Sequence, residues 1–162
     1  MSKEIIIVTI SLGNDGAERI LTELARQWHQ DGHKITVIQT SPNRYGTEYA
    51  LPEGIEQIQI HTTSSNKIIR FLQEIKVLIG ILKKRPHATC LSFLSASSFI
   101  LAISSWFVKN RIVFSERNNP RKVPVGKHQQ MLRDFAFNFA DAIVFQTEDA
   151  KSYFSHTIQS RG

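Results

Sequence analysis

The sequence predicts an α/β protein with a doubly wound parallel sheet of about six strands, arranged in three layers. Two observations lead to this fold class. Short apolar runs without polar interruption, such as residues 5–10, are typical of parallel strands buried on both faces. Between these runs, apolar residues recur at three- and four-residue spacing, which predicts helices. Because strands and helices alternate along the chain, right-handed crossovers give the simplest topology.

The first half of the chain predicts three strands and two helices. In order, these are a strand over 5–10, a helix over 17–30, strands over 34–40 and 55–61, and a helix over 67–84. Gly32 ends the first helix and Pro86 follows the second. The second helix is apolar on one side and basic on the other. We expect its apolar side to pack on the sheet, although such a helix can also lie on an anionic membrane.

The second half continues the alternation. Its predicted elements are a strand over 89–94, a helix rich in Ser and Ala to about residue 108, a strand over 111–115, a helix over 128–140, a strand over 142–146 and a helix over 148–154. A polar, basic loop over 116–127 separates two of them. The large apolar side chains of the Ser/Ala-rich helix are expected to be core, namely Phe99, Leu101, Trp106 and Phe107.

Composition predicts a single globular domain. The chain has 162 residues, of which 41% are hydrophobic and 21% charged. Its one cysteine, Cys90, lies in an apolar run and is expected to be a buried, inert thiol. No apolar run approaches the roughly 20 residues that span a bilayer. We therefore expect a cytoplasmic protein. If its basic helix contacts lipid, the protein would lie on the inner face of the plasma membrane.

The positive charge is concentrated in the middle of the chain. Residues 67–133 hold 13 Lys and Arg but only two carboxylates, a local excess of +11. This asymmetry indicates an anionic partner such as a nucleotide phosphate, a lipid-linked phosphate or a membrane surface, although a solvated basic face remains an alternative. We expect no nucleic-acid binding, because the segment lacks glycines and exposed aromatics arranged as a stacking platform.

The turn between the first strand and the first helix is a candidate binding site. Its candidate residues are Gly13, Asn14, Asp15, Gly16 and Arg19. Glycines let the backbone approach a phosphate or acceptor closely, and a helix N-terminus adds partial positive charge. Alternatively, the glycines only form the turn, and Asp15 and Glu18 form a capping box.

Two further strand ends carry polar side chains. Glu116 and Arg117 follow the fifth strand and are the candidate catalytic residues, expected to project into one crevice. There Arg117 would hold a phosphate or sugar, and Glu116 would orient an acceptor hydroxyl. Alternatively, they form a salt bridge that braces the loop. The remaining candidate residues for donor phosphate or acceptor binding are Asn118, Asn119, Arg121, Gln146 and Thr147. Capping of the last helix explains Thr147 equally well.

Several site classes are excluded by pattern. None of the six histidines has a partner at a recognisable metal-ligand spacing, so we expect no bound metal and no cofactor. The chain has no Gly-x-x-x-x-Gly-Lys-Ser/Thr sequence, and its first turn is not Gly-x-Gly-x-x-Gly. The second strand ends in Gln39 and Thr40 without an acidic ribose ligand, which argues against a dehydrogenase.

Three motifs at strand ends carry a family resemblance. They are Ser11-Leu-Gly-Asn-Asp-Gly-Ala-Glu-Arg19, Phe114-Ser-Glu-Arg-Asn-Asn-Pro120 and Asp141-Ala-Ile-Val-Phe-Gln-Thr147. Together they resemble the N-terminal domain of the family 4 retaining glycosyltransferases, whose two Rossmann-like domains form the GT-B fold. Members of that family often read Gly-Gly-Ala-Glu-Arg in the first motif, where this chain has Asp15 in place of the first glycine.

The resemblance implies a function for the chain as half of an enzyme. In this family the N-terminal domain holds mainly the acceptor, while the C-terminal domain binds most of the nucleotide-sugar donor and carries a Glu-x7-Glu motif, which is absent here. Residues 1–162 would then be an isolated or truncated acceptor-side domain, inactive alone. The complete enzyme would transfer sugar to a glycan or lipid-linked acceptor in polysaccharide or lipopolysaccharide biosynthesis. The alternative is a non-catalytic module that binds an anionic lipid or nucleotide.

Overall fold

The computed structural model describes residues 2–13, 16–41, 49–93, 95–117, 120–121 and 126–162. The strands are β1 (Glu4–Thr9), β2 (Lys34–Gln39), β3 (Glu56–Gln59), β4 (Thr89–Ser92), β5 (Arg111–Glu116) and β6 (Ala142–Phe145). The helices are α1 (Gly16–Gln30), α2 (Lys67–Lys83), α3 (Ser95–Ser105), α4 (Lys127–Phe137), α5 (Glu148–Lys151) and α6 (His156–Gln159). The predicted alternation of strands and helices is confirmed.

The six strands form one parallel sheet in the order β3-β2-β1-β4-β5-β6. This is the predicted doubly wound, Rossmann-like arrangement. The central strand β1 pairs with β2 on one side and β4 on the other, and its residues Ile6, Ile7 and Val8 are fully buried. Uninterrupted burial on both faces explains why this segment is an apolar run rather than an alternating one.

Alternate residues of the strands face two separate cores. On one face, Ile6 and Val8 join the buried residues of helices α2, α3 and α4. Phe114 of β5 belongs to this core and stacks on Phe137 of α4, with their ring centroids 5.8 Å apart. On the other face, Ile7 packs with residues of α1. Helices thus lie on both faces of the sheet, with α1 on one and α2, α3 and α4 on the other.

The ends of two helices follow from local sequence. Asn66 caps α2, because its Oδ1 accepts hydrogen bonds from the backbone N–H groups of Ile68 at 2.9 Å and Ile69 at 3.3 Å. Gly32, with φ of 84°, ends α1 in the left-handed conformation that favours glycine. The next residue, His33, donates its N–H to the Trp28 carbonyl at 2.9 Å, which completes the terminal hydrogen-bond pattern.

The C-terminal part differs from the prediction of one helix over 148–154. The structure has two short helices there, α5 and α6. Between them the chain turns and buries the Phe154 ring against Phe137 and Phe145, at centroid distances of 5.5 and 5.3 Å. Burial of this ring in the core accounts for the break.

The expected core of the Ser/Ala-rich helix is only partly correct. Leu101 is fully buried, and Phe99 is half-buried. The prediction is wrong for Trp106 and Phe107, which are 56% and 57% exposed because α3 ends at Ser105 and the chain turns there. The expected burial of Cys90 is confirmed, and this burial raises the pKa of its thiol to about 12, which disfavours the reactive thiolate. In the part of the chain that the structure describes, no helix is long and apolar enough to cross a membrane.

Candidate functional site at the carboxyl edge of the sheet

The connections that leave β1 and β4 run in opposite directions across the sheet. After β1 the chain passes through α1 to β2, whereas after β4 it passes through α3 to β5. Ligands of open α/β sheets bind in the crevice that such a reversal opens at the carboxyl ends of the strands. The candidate site therefore lies at this edge, to which each strand brings the residues that follow its last position.

The turn after β1 is anchored by a buried carboxylate. Glu18 is only 5% exposed, and its Oε1 accepts a hydrogen bond from the Ser11 hydroxyl at 3.0 Å. Gly13 is buried, while Gly16 begins α1 and is exposed. A Cβ added at Gly16 would meet no atom of the described residues within 4 Å. Arg19 is exposed on α1.

Two residues of this turn, Asn14 and Asp15, lie outside the described residues. The proposed capping box of Asp15 and Glu18 therefore stays a prediction. The structure shows a different contact of Glu18, the hydrogen bond that it accepts from the Ser11 hydroxyl. This contact ties the start of α1 to the end of β1.

Glu116 and Arg117 do not enter the same crevice. Glu116 is the last residue of β5 and is 6% exposed on the α4 face, where its Oε2 lies 3.9 Å from Nε of the equally buried Arg133. The Arg133 guanidinium also stacks on Phe154, 4.6 Å from the ring centroid. Arg117 follows on the opposite face of the sheet, beside Phe93. Glu116 is thus paired with Arg133, and Arg117 alone of the two candidates faces a cavity.

Arg117 is held in place with hydrogen-bonding capacity left over. Its guanidinium carbon lies 5.8 Å from the Phe93 ring centroid. With its amide oriented so that both contacts are satisfied, Gln146 holds Arg117 from the end of β6, its side-chain N donating to the Arg117 carbonyl at 2.8 Å and its O accepting from Nη2 at 3.2 Å. Its Nε is buried and finds no hydrogen-bond partner among the described residues. An oriented guanidinium with a spare N–H is suited to binding an anion.

The other predicted rim residues divide between structural roles and undescribed positions. Thr147 caps α5, since its hydroxyl oxygen accepts from the Ala150 N–H at 3.1 Å. Arg121 packs on α5, where it donates to the Ser152 hydroxyl at 3.2 Å and lies 3.5 Å from the Asp149 carboxylate. Asn118 and Asn119 lie outside the described residues. Arg121 therefore contacts α5 and the residues that end it.

A polar pocket of about 380 Å³ opens at the carboxyl ends of β1, β2 and β3. Its polar lining comprises Thr40, Ser41, His61, Thr62, Ser64, Arg70 and Glu74. Nε of Arg70 lies 3.9 Å from Oε1 of Glu74, and both residues belong to α2. Burial raises the pKa of the Glu74 carboxyl, and the charge of Arg70 opposes this shift. A carboxylate, a guanidinium, an imidazole and hydroxyls together suit a ligand rich in hydroxyl or phosphate groups.

The sequence analysis missed this pocket, although a signal was present. Thr40 and Ser41 follow β2, and His61 and Thr62 follow β3, so the strand-end argument that selected Arg117 and Gln146 applies equally to them. The sequence pattern does not reveal that Arg70 and Glu74 line the pocket, because both lie within a helix whose spacing predicts packing on the sheet.

A second cavity, of about 430 Å³, lies against the face of β4, β5 and β6 beside α1. Its floor and wall are mainly apolar, formed by Ile5, Leu24, Trp28, Leu91, Phe93, Val113 and Val144. Arg117 stands at its carboxyl end, and Lys3 and Arg111 at its amino end. The lining is that of a packing surface rather than of a sugar site, because parallel sheets are normally covered on both faces.

No group of three or more potential metal ligands occurs among the residues for which the structure gives positions. The polar groups at the carboxyl edge are hydroxyls, an imidazole, an amide, two guanidinium groups and a carboxylate.

A doubly wound parallel sheet with polar side chains gathered at its carboxyl edge defines a Rossmann-like α/β protein with a ligand site at that edge. The sequence model of Glycosyltransferase Family 4 matches residues 14–161. The chain belongs to this family.

Solved structures share the fold at low identity. Sucrose-phosphate synthase from Thermosynechococcus elongatus matches with a TM-score of 0.72 at 7% identity, over 93% of this chain and 44% of that one. HepE of Anabaena, solved with UDP and glucose, matches with a TM-score of 0.68 at 11% identity, over 99% of this chain and 41% of HepE. The lipopolysaccharide outer core galactosyltransferase WaaB, in its apo form, matches with a TM-score of 0.68 at 13% identity, over 99% of this chain and 42% of WaaB.

This chain therefore spans about two fifths of the length of the structures it matches. A UDP-GlcNAc 2-epimerase from Methanocaldococcus jannaschii also shares the fold, so the fold alone does not specify the reaction. No curated protein sequence matches this chain significantly.

Proposed function

We propose that this chain is the acceptor-side half of a retaining glycosyltransferase. The complete enzyme moves a sugar from a nucleotide-sugar donor to a glycan or lipid-linked acceptor, in the assembly of polysaccharide or lipopolysaccharide. The family match over residues 14–161 carries this proposal. Support for the donor class comes from HepE, solved with UDP and glucose, and support for the acceptor class comes from WaaB.

The chemistry requires cations and N–H dipoles around the departing phosphate. Glycosyl transfer with retention builds negative charge on that phosphate, and groups fixed in advance stabilise it best. Here the N-terminus of α1 offers N–H groups next to Gly16, where an added Cβ would meet no described atom within 4 Å. Arg117, oriented by Gln146 and Phe93, offers a fixed positive charge. The donor phosphates contact these groups, while the second domain of the complete enzyme holds the rest of the donor.

The acceptor binds in the pocket lined by Arg70 and Glu74. Its volume of about 380 Å³ is of the size that holds a small ligand or one or two sugar units. Glu74 accepts hydrogen bonds from acceptor hydroxyls, and Arg70 pairs with an anionic group of the acceptor. Glu116, paired with Arg133 on the other face, positions the β5 strand end rather than touching the substrate.

Arg117→Met in the complete enzyme tests the phosphate contact. We expect kcat/KM to fall by about 100-fold, since a fixed charge beside the leaving phosphate contributes most in the transition state. The matched control is Arg26→Met, because Arg26 is exposed on α1 and pairs only with neighbouring Glu23 among the described contacts. Steady-state kinetics at saturating acceptor give both values. Equal activity of the two variants would remove Arg117 from the donor site.

Glu74→Gln tests the acceptor pocket. We expect the acceptor KM to rise by about tenfold, because a neutral amide is a weaker acceptor of hydroxyl hydrogen bonds. Burial raises the pKa of Glu74, so the folded state disfavours its ionised form. The wild type should therefore lose stability relative to Glu74→Gln as the pH rises from below the ordinary value of 4.5 through the raised pKa.

Chemical denaturation between about pH 4 and 7 measures this difference in stability. Glu23→Gln is the control, since Glu23 is exposed on α1. If Glu74→Gln raises the stability and lowers the affinity for the acceptor, the Glu74 carboxylate serves binding at the expense of stability. An unchanged acceptor KM would place the acceptor elsewhere.

The second candidate is a non-catalytic module that holds an anionic lipid or nucleotide through the same edge. The basic excess of residues 67–133 favours it, since that charge does not depend on catalysis. The natural sequence that follows Gly162 decides between the two functions. A downstream region with a Glu-x7-Glu motif and sugar transfer by the complete protein supports the transferase; the absence of both supports the module.

A further inference from the structure

We propose that Gln73 is a positioning residue of the acceptor pocket, which is the pocket lined by Arg70 and Glu74. Gln73 is not among the lining residues of that pocket. It lies on α2 and holds residues 60–66, a segment that forms one wall of the pocket. The inference rests on the proposed function for the chemical class of the ligand, a sugar, whereas the contacts that carry it belong to the fold.

This wall of the acceptor pocket has no regular secondary structure. Residues 60–66 connect β3 to α2, and within them His61, Thr62 and Ser64 line the pocket. A loop binds a ligand well when its side chains are held in place beforehand, because ordering them on binding costs free energy. The contacts that hold this segment therefore affect the affinity of the pocket.

The two ends of the segment are fixed by backbone N–H groups. At the start, the Ile60 N–H donates to the Gln39 carbonyl at 2.8 Å, which continues the pairing of β2 with β3. At the end, the Asn66 N–H donates to the Ser64 hydroxyl oxygen at 3.1 Å, and Asn66 also caps α2. Neither contact involves residues 61–63.

Gln73 supplies the contact in the middle of the segment. Its Oε1 accepts from the Thr63 N–H at 3.3 Å, and its Nε2 donates to the Thr63 hydroxyl oxygen at 3.2 Å. Within the part of the chain that the structure describes, these are the only hydrogen bonds made by residues 61–63. One amide thus contacts both the backbone and the side chain of Thr63, which fixes the orientation of that residue.

The burial of the segment shows why a contact at Thr63 affects the pocket. Thr62 and Ser64 are half-buried and line the pocket, whereas Thr63 between them is exposed and contacts Gln73 instead. Holding Thr63 on Gln73 therefore keeps its two neighbours directed at the pocket. Arg70 lies three residues before Gln73, so the two are neighbours on the surface of α2. Helix α2 carries both ligand-facing groups and the residue that orders the adjoining wall.

Titration of the 162-residue chain with simple glycosides is the primary test, because it measures binding without turnover. The probes are the methyl glycosides of glucose, galactose, mannose and N-acetylglucosamine, and NMR of the isotope-labelled chain follows the backbone amides. We expect at least one probe to shift the amides of Thr62 and Ser64, and Gln73→Leu to raise its dissociation constant by about fivefold. The proposal is overturned if no probe shifts these amides, or if Gln73→Leu leaves the dissociation constant unchanged.

Substitutions at Thr63 separate positioning from direct contact, because Thr63 does not line the pocket. Thr63→Val removes the hydroxyl that accepts from Gln73 and should weaken binding by about threefold, whereas Thr63→Ser keeps the hydroxyl and should bind as the wild type does. Gln73→Leu combined with Thr63→Val should bind no worse than Gln73→Leu alone, since both substitutions break the same contact. Losses that add in the double variant would contradict the proposal.

The matched control is Gln27→Leu. It removes an exposed side-chain hydrogen bond from the surface of α1, in which Nε2 of Gln27 donates to Oδ1 of Asp31 at 3.0 Å. We expect this variant to bind the glycoside as the wild type does. A loss equal to that of Gln73→Leu would show that the effect is not specific to the segment and would contradict the proposal.

Amide exchange in the free chain tests the order of the segment directly. The Thr63 N–H donates to Gln73, so its exchange with water should become about fivefold faster in Gln73→Leu. The Ile69 N–H, which donates to Asn66 at the start of α2, should exchange as before and shows that the helix is intact. Unchanged exchange at Thr63 would mean that Gln73 does not hold the segment.

The complete enzyme distinguishes this inference from the proposed function. With the glycoside that binds best as acceptor, Gln73→Leu should raise the acceptor KM by about fivefold and leave kcat within about twofold, because the wall contacts the acceptor equally in the ground and transition states. A fall in kcat at unchanged KM would contradict the assignment. A complete enzyme that transfers no sugar would refute the proposed function alone, since the binding and exchange experiments do not depend on turnover.

Discussion

Arg133→Met is expected to lower the free energy of unfolding by about 3 to 5 kcal/mol, because it leaves the carboxylate of Glu116 buried without its cationic neighbour. Both side chains are almost fully buried, and the guanidinium also packs on the Phe154 ring, at 4.6 Å from its centroid. Urea denaturation monitored by circular dichroism measures the change.

A double variant separates the ion pair from the loss of packing. Glu116→Gln together with Arg133→Met should recover much of the lost stability, since no buried carboxylate then lacks its cationic neighbour and Asp134, which also pairs with Arg133, is 36% exposed. The same pair decides the role of Glu116. If Glu116 only positions the strand end, the complete enzyme with both substitutions keeps most of its activity; a loss as large as that of Arg117→Met would return Glu116 to the catalytic residues.

Phe114→Ala is expected to cost about 3 to 5 kcal/mol of stability. Phe114 is fully buried at the centre of the larger core, where it stacks on Phe137, and truncation removes apolar contacts and opens a cavity. The matched control is Phe107→Ala, the same chemical change at a residue that is 57% exposed.

The control should change stability by less than about 1 kcal/mol. Thermal or urea unfolding of both variants checks the comparison. A destabilisation by Phe107→Ala comparable to that of Phe114→Ala would mean that Phe107 is buried in solution.

Much of the fold was predictable because the burial of one helix face or of a whole strand produces a recognisable spacing of apolar residues in the sequence. The apolar run of β1 and the helical spacing of α1 need no knowledge of the partner elements. The position of the site was predictable for a related reason. Parallel strands bring their carboxyl ends to one edge, so polar residues after β5 and β6, such as Arg117 and Gln146, are neighbours in the fold as expected.

The separation of Glu116 from Arg117 was not predictable with the same means. The prediction ended the fifth strand at residue 115, whereas β5 includes Glu116. Within a strand, successive side chains point to opposite faces, so one further strand residue sends Glu116 towards Arg133 and Arg117 towards Phe93. An error of one residue in a strand boundary thus changes which side chain can reach a ligand.

By itself, the sequence determined the elements, the parallel doubly wound sheet and the edge at which the candidate site lies, since each follows from local spacing and from chirality that all L-residues share. Only the tertiary structure decided which faces are covered. Trp106 and Leu101 are equally apolar in sequence, yet one is exposed and the other buried, because burial depends on what packs against a residue. The pocket lined by Arg70 and Glu74 likewise requires α2 to meet the ends of β2 and β3, contacts that no local pattern contains.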